Sequence, residues 1–336
     1  MGVEDFVIEN DVLAKYEGAG EDVVIPEGVK KIGGSAFIWY GRLKTISIPE
    51  GVTEIGREAF FGCSSLESVV IPEGVKKIDA SAFYGCESLG SISIPEGVAE
   101  IGKGAFRGCS SLKSVTIPEG VREIGARAFC GCGSLKTISI PEGVTEIGVS
   151  AFGGCDSLKS VSIPEGVKKI GTAAFCECPS LKSVSIPEGV AEIGRYAFDD
   201  CPSLARVVVL GEALPKGLTI GPDTALVSPR LSTNAVKGKR ISKASIAAGR
   251  VIYALENPGH ELDDATRKYI RAQLPGVCKA LRYDAAAILW IADNGLVSGA
   301  AAVEAVTICT EKGLTEAAAA LLDASAASKK KSKLEL

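Results

Sequence analysis

Residues 66–86 read LESVVIPEGVKKIDASAFYGC, and the apolar positions of this stretch return 23 residues further on, as from Phe83 to Phe106. Leu66 to Ile71 alternates apolar with small polar side chains, the period of a short strand with one face buried. Pro72, which has no ladder donor, ends that strand, and Ile71-Pro72-Glu73-Gly74 fits a type I turn. Val75 and Ile78 supply a second inward pair, and Ala82, Phe83 and Cys86 close the far side.

The Ile-Pro pair recurs at Ile25, Ile48, Ile71, Ile94, Ile117, Ile140, Ile163 and Ile186. In the same register stand Phe37, Phe60, Phe83, Phe106, Phe129, Phe152, Phe175 and Phe198, each after an alanine. A unit this short cannot bury its apolar face alone, so the repeats must stack into a solenoid whose stability is a sum of units and interfaces. With strands about 4.8 Å apart, the array is roughly 34 Å long.

The pattern Leu-x-x-Val/Ile-x-Ile-Pro-x-Gly-Val-x-x-Ile-Gly-x-x-Ala-Phe-x-x-Cys resembles the BspA-like, or type 5, leucine-rich repeats. The resemblance covers residues 24–209 and implies adhesion, host contact or protein binding, with no catalytic residue to carry over.

Outside the register, residues 1–23 read as an N-terminal β cap, a degenerate first unit with Phe6-Val7-Ile8 and Val23-Val24-Ile25 on either side of a turn region. The proline- and glycine-containing stretch 210–240 suits an irregular cap or linker. From 241 to 327 the chain turns alanine-rich, with helical stretches near 241–256, 263–273, 284–293, 299–311 and 315–327, Ser298 and Thr315 as candidate N-caps, and Asn294-Gly295 and Lys312-Gly313 as stops. Residues 328–336 form a short basic tail, read as a solvated terminus. The expected fold is thus a leucine-rich-repeat solenoid, mainly β with 23-residue repeats, followed by a small all-α module.

The chemistry-bearing residues give little support to catalysis. His260 is the only histidine, so multi-histidine metal sites and Ser-His or Cys-His constellations are nearly excluded by counting. Cys63, Cys86, Cys109, Cys132, Cys155, Cys178 and Cys201 form a row whose side chains run parallel, so they read as buried free thiols. Cys130-x-Cys132 and Cys176-x-Cys178 lie two repeats apart, about 10 Å, too far to share one zinc. No cofactor is implied. The acidic row Glu27, Glu50, Glu73, Glu96, Glu119, Glu142, Glu165 and Glu188 falls on exposed turns.

With 37 basic against 41 acidic residues, the net charge of −4 offers no general attraction to nucleic acid. No window is apolar for long enough to span a membrane. Residues 1–10 lack the pattern of a signal peptide, and eleven cysteines without a pairing scheme favour a reducing compartment. A cytoplasmic location is therefore expected, with the cell surface or secretion as the alternative should an export signal be missing.

The solvent-facing strand positions, such as Ser68, Ser91, Ser114 and Thr137, make a monotonous hydroxyl carpet that carries little specificity. Variation concentrates after the Ala-Phe pair, where successive units carry Ile38, Phe61, Tyr84, Arg107, Cys130, Gly153, Cys176 and Asp199. Aromatics and arginine anchor interfaces, so Ile38, Trp39, Phe61, Tyr84 and Arg107 are the candidate partner-binding residues. The competing account of Trp39 and Tyr40 is that they seal the solenoid's end. The expected role is non-enzymatic recognition, of protein first and glycan second. The alternative is a structural or self-associating repeat element.

Overall fold

The computed structural model describes residues 3–211, 213–221, 224–228, 241–282 and 284–334. It divides into two compact units, Met1–Ser203 with Pro215–Thr219, and Leu204–Leu214 with Ile220–Leu336.

In the first unit each 23-residue repeat lays down two short parallel strands. One set runs from Asp22–Val24 through Thr45–Ser47 and Ser68–Val70 to Ser183–Ile186, pairing in register so that Thr45 faces Ser68 and Ser68 faces Ser91. Its central residue is buried and its flanking residues exposed, as the alternation demands. The other set, two residues per strand, runs from Lys31–Ile32 to Glu192–Ile193, with the isoleucine row inside and Lys–Glu pairs such as Lys31–Glu54 and Lys169–Glu146 outside. The turn between the sets sits one residue later than the sequence suggests. Val75 N–H donates to Pro72 C=O at 3.1 Å, making Pro72 the first turn residue rather than the second. The residue before a proline is driven to extended backbone, so Ile71 stays with the strand and Pro72 supplies the acceptor.

The third side of each repeat is held by backbone hydrogen bonds without being a strand. Ser81 N–H donates to Lys103 C=O at 2.9 Å, Phe83 N–H to Ala105 C=O at 2.7 Å, and Gly85 N–H to Arg107 C=O at 2.8 Å, each crossing to the next repeat. Residues in two rows of this side take left-handed backbone. One row is Ser35, Glu58, Ser81, Gly104, Arg127, Ser150, Ala173 and Tyr196, with φ between 51° and 63°. Left-handed backbone costs a non-glycine residue about 1 kcal/mol, and the inter-repeat hydrogen bonds offset it.

Inside, Phe37 to Phe198 form one column, with neighbouring ring centroids 5.0–5.7 Å apart and planes within 15°. This is offset stacking, which the ring quadrupole favours. Beside it lie the ladder cysteines, each with Sγ 3.1–3.4 Å from the carbonyl oxygen of a phenylalanine one repeat back, as Cys109 to Phe83. All eleven cysteines are free, nine buried and two, Cys130 and Cys176, partly exposed. Burial pushes the Cys63 and Cys155 thiols up to about 12. A thiol raised in the folded state contributes stability that is whole below its unfolded value near 9 and lost as pH climbs toward 12. A disulfide-exchange reagent at pH 8 should therefore titrate about two thiols natively and eleven after denaturation, and the melting temperature should fall as pH rises above 9. Ready native titration of the ladder, or a flat alkaline profile, contradicts this.

The segment expected as a degenerate first unit begins with a hairpin. Phe6–Glu9 and Val12–Tyr16 pair antiparallel around Asn10 and Asp11, both left-handed (φ 49° and 62°), a two-residue hairpin turn. Two residues tolerant of positive φ bring the chain straight back, so Val12–Leu13 pairs with Lys31–Ile32 and Tyr16 lays its ring 5.2 Å from Phe37. The column's open end is covered.

The second unit contains β structure as well as helices. Ala225–Val227, within the stretch read as irregular, pairs parallel with Arg206–Val209, and all three of its residues are buried. Six helices follow: α1 Lys243–Glu256, α2 Asp264–Ala272, α3 Leu274–Ala280, α4 Ala285–Asp293, α5 Gly299–Glu311 and α6 Thr315–Leu334. Ser242, Asp263 and Asp284 cap α1, α2 and α4 through their side chains. Ser298 occupies the N-cap position of α5 without a side-chain cap bond, and Thr315 is the first residue of α6. Gly295 and Gly313 follow α4 and α5 with positive φ. Helix α3 was hidden by Pro275-Gly276, yet proline is tolerated in a first turn, whose N–H groups have no intrahelical partner. Helix α6 continues past 327; the side chains of 329–336, including the basic run, lie outside the described residues, as do residues 229–240. Val251, Ile270, Val277, Ile288, Ile291 and Leu321 are in the buried core of this unit.

Candidate functional site

The variable positions lie on the hydrogen-bonded third side. Because each repeat repeats the same backbone path, residues 23 apart stand one above another, and differences between units become a row on the surface. Its first member, Ile38, is 41% exposed. Trp39 is 70% exposed and sets its ring edge-on to Phe61 at 4.9 Å and 73°. Phe61 stacks on Tyr84 at 4.4 Å with the planes 1° apart, and the Arg107 guanidinium lies 5.4 Å from the centre of the Tyr84 ring. Phe61, Tyr84 and Arg107, which the sequence placed in one row, thus touch in succession, and Trp39, one residue out of that register, joins them through Phe61.

Tyr40 and Trp39, adjacent in sequence, have different fates. Tyr40 takes the place of the ladder cysteine, turns its ring edge-on to Tyr16 at 5.3 Å and donates its hydroxyl to the carbonyls of Gly18 and Gly20 at 3.0 and 3.1 Å. It seals the end. Trp39 has left-handed backbone (φ 58°) at the position where the next repeats carry glycine, and it lies over Gly62, where a Cβ would come within 2.4 Å of the indole. Gly62, itself at φ 73°, makes room for the indole.

The row changes character along its length. Glu177 and Asp200 also occupy the glycine position with positive φ (57° and 50°), and the ligand atoms of Cys176, Glu177 and Asp200 lie within 4.8 Å of one another. Cys130 and Cys176 are in the row, while their partners Cys132 and Cys178 point into the core, so the two Cys-x-Cys motifs do not converge. The acidic turn row, Glu27 to Glu188, is exposed throughout. His260 packs edge-on to Tyr253 at 4.8 Å in the other unit. No described helix is long and apolar enough to cross a membrane.

One feature of this side was not legible in the sequence. Arg57, Tyr84, Lys103, Arg107 and Arg127 line a recess of about 290 Å³ beside the aromatic row. The period places the side chains near one another, and the recess among them is lined in part by Ser81, Gly104 and Arg127, all with left-handed backbone.

Comparison with known proteins agrees with this architecture. A BspA type leucine rich repeat region matches in 6 copies over residues 8–132 and 76–205. The crystal structure of the T. pallidum leucine rich repeat protein is 31% identical over 54% of this chain and 90% of that one, with a TM-score of 0.50. A leucine-rich repeat protein from Bacteroides ovatus is 27% identical over 66% of this chain and 76% of its own, with a TM-score of 0.49. No curated protein sequence matches. Since the repeat match takes in more than half of the 336 residues, this protein belongs to the BspA type leucine-rich-repeat family.

Proposed function

We propose that this protein is a non-enzymatic recognition scaffold that binds another protein through the edge formed by Ile38, Trp39, Phe61, Tyr84 and Arg107. The observation that supports it is the contiguous, partly exposed row of three aromatic rings ending in a guanidinium. The flat hydroxyl strands offer no comparable anchor, and large aromatics and arginine dominate the energetics of protein interfaces. Adhesion is one use such a scaffold serves.

Phe61→Ala, Tyr84→Ala and Arg107→Ala are each expected to weaken partner binding by about 2 kcal/mol, and Ser114→Ala to leave it unchanged. A partner is first captured with the wild-type chain, then its affinity and each variant's melting temperature are measured. Lower melting temperatures with undiminished affinity would remove this edge as the site.

A further inference from the structure

The recess beside Tyr84 deepens that reading, on which it rests, because its chemistry differs from that of the aromatic row. Four of its lining side chains, Arg57, Lys103, Arg107 and Arg127, are cationic, and none is acidic. Arg57 is neutralised by Glu58, 3.2 Å away. Among the described residues Lys103, Arg107 and Arg127 have no ion pair. Three cations from two successive repeats therefore converge on one cavity without a counter-charge.

We infer that this recess takes a carboxylate side chain from an acidic peptide segment of the partner. Guanidinium groups receive carboxylates through paired, charge-assisted hydrogen bonds. At about 290 Å³ the recess is at the lower bound of ligand pockets, the size for a charged side chain rather than a whole small molecule. The neighbouring rings point to peptide over glycan. Phe61 from the preceding repeat stacks on Tyr84 and Arg107 from the following one lies over it. The faces of the Tyr84 ring, which borders the recess, are thus occupied and closed to a stacking sugar. What remains open of Tyr84 is its ring edge, which is electropositive and adds to the preference for an anion. An acidic residue in the recess and apolar residues along the Trp39–Phe61 edge would satisfy both halves of the surface.

The test is fluorescence anisotropy with the full chain and four labelled probes of similar length: a peptide alternating glutamate and leucine, its glutamine counterpart, a heparin oligosaccharide and a single-stranded oligonucleotide. The glutamate peptide should bind at least tenfold tighter than the glutamine peptide, and increasingly weakly as salt rises. Lys103→Glu with Arg127→Glu, both on exposed side chains, should abolish that preference while the melting temperature stays unchanged. Equal binding of the two peptides, an undiminished preference in the double variant, or tighter binding of heparin or the oligonucleotide would each overturn the proposal. So would peptide-independent self-association that the double variant abolishes, which would make the acidic edge of a second copy, with Glu177, Asp199 and Asp200, the occupant. If the acidic peptide fails while Phe61→Ala and Tyr84→Ala still weaken the captured partner, the recess proposal falls alone. If those truncations leave the partner's affinity intact while the peptide binds as expected, the aromatic edge falls and the acid-binding recess stands.

Discussion

Phe106→Ala is expected to cost about 3–5 kcal/mol, the usual range for emptying a fully buried phenylalanine site. Phe106 is 0% exposed and is flanked by Phe83 and Phe129, with ring centroids 5.4 and 5.3 Å away. Its removal leaves two ring faces without a partner. The backbone around it cannot collapse into the gap, because Phe106 N–H is bonded to Ala128 C=O and Gly108 N–H to Cys130 C=O, which hold the repeats in register. In an array where each repeat contacts only its neighbours, such a defect also weakens the coupling between the halves. Chemical denaturation should then change from one cooperative transition of the solenoid to two, with a lower first midpoint. A loss below about 1 kcal/mol would show that the column is not a principal source of stability.

The other large effect belongs to the second unit. Gly249, in α1, faces the strand Ala225–Val227 so closely that an added Cβ would lie 1.7 Å from the carbonyl oxygen of Leu226. That atom is backbone and cannot swing aside. Gly249→Ala must push the helix off the strand, exposing Ala225, Ala248 and Val251, all now buried. Overpacking of this kind costs about 3 kcal/mol, although alanine is intrinsically the better helix former by about 1 kcal/mol. The two effects oppose each other and the clash wins. Thermal unfolding followed by circular dichroism at 222 nm should show the helical signal melting earlier; an unchanged or higher midpoint would contradict the close approach.

The sequence by itself determined the solenoid. Any stack of 23-residue units must present Leu66, Val69, Ile71, Val75, Ile78, Phe83 and Cys86 to one interior, since only neighbouring repeats can cover them, and that requirement is written in the periodicity. It also placed Phe61, Tyr84 and Arg107 in one row, because a strict period turns sequence spacing into spatial adjacency. Three matters were decided by the tertiary structure. The left-handed row includes Glu58, Arg127 and Tyr196, residues whose local preference opposes such backbone. They adopt it because their amides bond the next repeat or, at the last unit, because the stacked path is already set. The strand Ala225–Val227 has no period to announce it, and its pairing with Arg206–Val209 is long-range information that a proline-rich stretch does not carry. The opposite fates of Trp39 and Tyr40 depended on which ring found a buried partner. Tyr40 reaches Tyr16 and two carbonyls of the cap, whereas Trp39 is held outside by its backbone, over Gly62 and against Phe61. Local sequence fixes what must be buried, but where an amphipathic side chain ends up is settled by the contacts that only the assembled chain brings within reach.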